Sequence, residues 1–145
     1  VGIDMVEFEN SRIIKHVLDK LINITSRKTD TGQAVSIIFK SIKELQNKYD
    51  FLKNIEIKDT QFIELEEPIS VMSDIDNIRS DEIGKALYDI IKSINSTLGR
   101  NAGYFLIKEL KNSIDDEFNT SIIDMGLDLS LMQLEFEINE MTKKL

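Results

Sequence analysis

The chain has 145 residues, of which 41% are hydrophobic and 30% charged, with a net charge of −8 and no cysteine. A length of this order suits one domain with its own core, expected here to span 1–145, and the absence of cysteine excludes disulfides, zinc–thiolate sites and thiol catalysis. The acidic balance works against nucleic-acid binding, which draws on neutralising phosphates.

The opening, Val1 to Lys15, has neither a basic start nor an apolar block, so no signal peptide is expected. The apolar runs are too short to span a bilayer, so no membrane association is expected and a cytoplasmic location is. The first residue is Val1 rather than Met, as in a fragment of a longer chain or a processed product.

Ile13, Ile14, Val17, Leu18, Leu21, Ile22 and Ile24 recur at helical spacing and predict a first helix, with Asn10 or Ser11 as its N-cap. Asp30 with Gln33 three residues later has the pattern of a capping box. It opens a second helix with Ala34, Ile37, Ile38, Ile42, Leu45 and Tyr49 on one face. Three short pieces with strand character follow, "IEIKD", "QFIEL" and "PISVM", the last opened by Pro68. They predict a small extended or β element near residues 55–72. Nearly the whole net charge gathers here: nine acidic residues against Lys58 and Arg79 lie between Glu56 and Glu82.

A third helix is predicted after Ser80, with Asp81 and Glu82 favourably placed at its positive end. Its stripe is Ile83, Leu87, Ile90, Ile91, Ile94 and Leu98, and Gly99 stands where a helix stops. Asn101 then caps a fourth helix carrying Tyr104, Phe105, Ile107, Leu110 and Ile114. Arg100, between the two, is read as a surface residue or an anchor for the acidic segment. A short helical piece from Phe118 to Met125 ends at Gly126. The last segment alternates like a strand in two pieces that fall out of phase between Leu131 and Met132. Read as a helix, Leu127, Leu131, Leu134, Ile138, Met141 and Leu145 form an unbroken heptad seam. Leu129, Met132 and Phe136 then lie on the opposite side. The fold class expected is mainly α: a compact bundle of five or six helices with the small extended element.

Most motifs with chemistry fail on inspection. Gly99-Arg100-Asn101-Ala102-Gly103 lacks the Lys-Ser/Thr of a P-loop, and a helix rather than a strand precedes it. As a helix-turn-helix it would offer "YFLIKELKNSI" for recognition, which is too apolar to read base edges. "SDIDNIRSDE" starts like a calcium loop at Asp74 and Asp76, but Ile78, Arg79 and Lys85 occupy positions that need an oxygen ligand, a glycine and a glutamate. His16 is the single histidine and cannot build a multi-histidine site.

"VGIDMVE" resembles the opening strand of holo-acyl-carrier-protein synthases, whose Gly-x-Asp-Ile-Val-Glu carries a magnesium-ligating aspartate. The resemblance implies Asp4 as that ligand and Glu44, with Lys43 after Phe39, as an echo of the second motif. It covers about seven residues; the spacing of the second motif differs and the family's intervening segment is missing.

Two faces of apolar residues on one helix require either a central position or a second chain. The leading expectation is therefore a non-catalytic regulatory or scaffolding module. It would form a homo-oligomer or bind a protein partner through its C-terminal helices, with Leu127, Leu129, Leu131, Met132, Leu134, Phe136, Ile138 and Met141 as the interaction residues. No catalytic residue, cofactor or metal is expected on this reading. The alternatives are a magnesium-dependent phosphopantetheinyl transferase using Asp4 and Glu44, and a small-molecule sensor with an apolar pocket under "YFLIKEL". Leu134→Asp is expected to be severely destabilising, as for a buried position.

Overall fold

A computed structural model describes residues 8–58, 67–103 and 105–143, the side chains of 100–103 excepted. The fold is mainly α. In chain order it has α1 (Asn10–Lys28), α2 (Thr31–Leu45), β1 (Ile55–Ile57), β2 (Ile69–Val71), α3 (Ser80–Gly103), α4 (Leu106–Ser113), α5 (Asp116–Asp124) and α6 (Leu129–Lys143). Short 3₁₀ turns, Asp50–Asn54 and Ser73–Asn77, flank the sheet.

Helix α1 is the centre of the assembly and packs against α2, α3, α4, α5 and β2. Its seven predicted apolar residues are all buried, joined by Thr25. At 100° per residue these positions cover about half of the helix circumference, which is why one helix can serve so many neighbours. Burying a side chain of this size contributes roughly 1.5–3 kcal/mol, so the stripe outweighs any local propensity.

The N-terminus of α1 is not capped as its local sequence suggests. Glu9 occupies the N-cap position and makes no side-chain cap bond. Asp76, 65 residues further on, accepts the Ser11 N–H at 2.7 Å. The Asn10 amide donates to the carbonyls of Ile75 and Ile78 at 3.2 and 2.7 Å. The Asp76 carboxylate, from the acidic stretch before α3, thus sits at the positive end of α1. Glu67, from the same acidic region, pairs with Lys15 at 2.6 Å.

At the start of α2 the Asp30 side chain accepts the Gln33 N–H at 2.8 Å, one of the two bonds of a capping box. The buried residues of α2 are Ala34, Val35, Ile38, Ser41 and Ile42, while Ile37 and Leu45 are partly buried. Tyr49 is buried beyond the helix end. The Ser41 and Ser93 hydroxyls meet at 3.0 Å between α2 and α3.

Strands β1 and β2 pair antiparallel, with Glu56 opposite Ser70. "QFIEL" lies outside the described residues. Pro68 precedes β2, where its carbonyl accepts from the Lys58 N–H at 2.8 Å; having no N–H to return to Lys58, it ends the ladder on that side.

The α3 stripe is buried as predicted, Leu98 only in part. Gly99 breaks α3 with φ 76° and ψ −177°, an extended excursion at positive φ that glycine adopts without a Cβ clash. The fourth helix starts later than expected: its N-cap is Phe105, and Leu106 is its first residue. Asn101 belongs instead to the short helical stretch after the break. Tyr104 and the side chain of Arg100 lie outside the described residues. Gly84 on α3 serves a different need, because a Cβ there would lie 2.1 Å from the Met125 carbonyl oxygen. A bare backbone lets α3 approach the α5–α6 connection.

Candidate interaction surface

Helix α6 is held at its start by Asp128, whose carboxylate accepts the Leu131 N–H at 3.1 Å. Its two apolar faces then part company. Leu129 and Met132 are 8% and 5% exposed, and Phe136 packs partly buried on the same core. Leu131, Leu134, Ile138 and Met141 are 51%, 51%, 52% and 68% exposed. The heptad seam thus faces outward and the opposite side holds the helix to the body of the protein, chiefly against α4.

This arrangement corrects two expectations. Leu127 lies before α6 and is buried in the core, so it is a packing residue and not part of the outward seam. Leu134 is half exposed, so an aspartate there does not create a buried charge. Leu145 lies outside the described residues.

A polar cluster that the sequence did not reveal joins the end of α2 to α3. Asp89 accepts from Lys48 Nζ at 2.9 Å and from the Tyr49 hydroxyl at 2.7 Å. Burial alone would raise the Asp89 carboxyl, but the hydrogen bonds from Lys48 and Tyr49 outweigh it and hold the group below its ordinary value. Burial and the bond to Asp89 raise the Tyr49 phenol. A hollow of about 650 Å³ opens beside them, lined also by Gly84 and Tyr88. Tyr88 is itself tied to Glu135 of α6 at 3.2 Å. The two bonds to Asp89 fasten the segment after α2 to α3. The cluster's members lie 40 residues apart, beyond the reach of any local pattern.

The remaining candidates are placed as follows. Glu44 is exposed on α2, and Asp4 lies outside the described residues. Among the described residues no three His, Cys, Asp or Glu side chains gather as a metal site would require. Lys43 reaches over the Phe39 ring at 5.8 Å. His16 stacks on Phe118 and accepts a hydrogen bond from the Asp115 N–H at 3.2 Å. No helix among the described residues is long and apolar enough to cross a membrane. Comparison with family models, with curated proteins and with solved structures finds no match.

Proposed function

We propose that the protein is a non-catalytic association module whose docking surface is the outward seam of α6. The observation that carries this reading is the division of one helix into two apolar faces. Leu129, Met132 and Phe136 are spent on the core, and Leu131, Leu134, Ile138 and Met141 are left on the surface in heptad register. Single exposed leucines are ordinary, but a row at spacing of three and four is what a second helix fits. The first candidate for that helix is α6 of a second copy, since a seam in this register meets its own kind knob into hole.

Magnitude sets the expected strength. From Leu131 to Met141 the seam is about 15 Å long at 1.5 Å per residue. A stable interface covers roughly 800 Å² on each partner, and four half-exposed side chains supply less than that. Weak, concentration-dependent association is therefore expected.

Light scattering and sedimentation equilibrium from micromolar to millimolar concentration give the test. The expected result is a dimer that appears with concentration and is lost in Leu134→Asp with Ile138→Asp. Both positions are half exposed, so the double variant keeps its fold. A chain that stays monomeric throughout the range removes self-association. Association that persists unchanged in the folded variant removes the seam.

A further inference from the structure

The outward seam of α6 has two flanks, and a glutamate stands on each. At about 100° per residue, Leu131, Leu134, Ile138 and Met141 cover a strip about 80° wide. Ser130 and Glu137 border the strip on one side, Thr142 and Glu135 on the other. From Leu129 to Thr142 the helix has Glu135, Glu137 and Glu140 and neither lysine nor arginine. Lys143 lies on the side away from the seam and pairs with Glu140 at 3.3 Å.

Neither flanking glutamate forms an ion pair among the described residues. Glu135 accepts from the Tyr88 hydroxyl at 3.2 Å, and Glu137 from the Gln133 amide at 3.0 Å. Lys92 of α3 lines a small hollow with Glu135 but is not paired with it. Neutral donors do not cancel the charge of a carboxylate. The seam is thus an apolar strip between two acidic borders, on a chain of net charge −8.

A second copy fits the strip but not the borders. In a parallel pair each border meets the opposite one, Glu137 beside Thr142 and Glu135 beside Ser130. In an antiparallel pair each border meets itself, glutamate against glutamate. Neither arrangement supplies a cation, in keeping with the weak self-association expected above. Charges beside an apolar seam set the choice of partner more than the strength of binding.

Taking the seam as the docking surface, as argued above, we propose that the partner it selects is a basic amphipathic helix of another protein. Such a helix has leucine-type residues at spacing of three and four, with lysine or arginine on both sides of them. The stems of those basic side chains would cover the edges of the strip while their heads reach Glu135 and Glu137.

Three labelled synthetic peptides of about 20 residues give the test, long enough to form helix. Two share one leucine seam, flanked by lysine in the first and by glutamate in the second. The third has the composition of the first in scrambled order. The full chain is titrated into each while fluorescence anisotropy is followed. The lysine-flanked helix is expected to bind at roughly tenfold lower concentration than either of the others. Its advantage over the glutamate-flanked helix should shrink between about 20 and 500 mM salt. Glu135→Lys with Glu137→Lys should reverse that preference. Leu134→Ser with Ile138→Ser, which removes the seam and adds no charge, should abolish binding of both helices. Equal binding of the two helices, lost in the serine variant, overturns the basic partner and leaves the docking surface standing. Equal binding of the lysine-flanked and scrambled peptides is general attraction to an acidic chain and overturns the proposal as well. If no peptide binds, the basic partner falls, and sedimentation of the chain alone decides whether the seam associates. Should a variant fail to fold, the three peptides on the wild-type chain still decide.

Discussion

The His16 imidazole lies flat against the Phe118 ring, with centroids 4.0 Å apart and 8° between the planes. Phe8 stacks on the same ring at 4.2 Å, and the Arg12 guanidinium sits over Phe8 at 5.0 Å. The column fastens the start of α1 to α5. The Asp115 N–H donates to His16 Nε2, so the imidazole must be neutral at that nitrogen. Burial lowers the His16 pKa from its ordinary 6.5; nearby Asp115 opposes the shift and Lys20 adds to it.

A lowered pKa in the folded state means that the unfolded chain binds more protons below pH 6.5, so stability rises with pH in that window. The contribution of His16 is complete above 6.5 and is lost as the pH falls towards its folded value. Melting temperature is therefore expected to drop between pH 7 and 5. In His16→Gln, which keeps an acceptor for Asp115 and does not titrate, the curve should be flat over that interval. Asp89, held below its ordinary 3.8, takes over at lower pH with the same sign. Parallel curves for wild type and His16→Gln would assign the pH dependence to other groups.

Gly84→Ala is expected to destabilise although alanine is the better helix former. The added methyl would meet the Met125 carbonyl oxygen at 2.1 Å, and a backbone atom cannot rotate away. Overpacking of this kind costs about 1–3 kcal/mol against the ~1 kcal/mol that helix propensity returns. Thermal melting reads the sign: a lower midpoint is expected, and an unchanged or higher one would show that α3 has room to move.

Asp76→Ala removes the acceptor at the start of α1. A lost cap costs about 0.5–2 kcal/mol. Urea unfolding should show a lower midpoint with an unchanged slope. The Ser11 amide should exchange with solvent faster than the amides at the middle of α1. Unchanged protection of Ser11 would mean that the cap contributes nothing.

Leu134→Asp and Met132→Asp separate the two faces of α6. The first places a carboxylate on a surface position and should shift stability by no more than about 0.5 kcal/mol. The second buries it beside Ile107 and Phe136 and should cost several kcal/mol or unfold the chain. Similar losses in both would mean that the outward seam is covered within the monomer.

The helical stripes were legible because each is written within one segment. Ile13 to Ile24 and Ile83 to Ile94 repeat at a spacing that only a helix puts on one side, and every one of those positions is buried. The two apolar faces of α6 were legible for the same reason. Which of them faces the core was not, since that depends on the distant α4. The heptad rule also drew Leu127 into the seam, because its spacing fits, although the helix begins two residues later. The cap of α1 and the Asp89 cluster each join residues that only the finished fold brings together.

The cap on α1 has a consequence for how the protein is made. During synthesis α1 and α2 emerge before the elements that follow them here, and their apolar faces can meet at once. The start of α1 lacks its acceptor until residue 76 has emerged from the exit tunnel. The central helix is thus made well before the residue that caps it. During that interval its first turn is the place where a chaperone or a protease finds an open helix end.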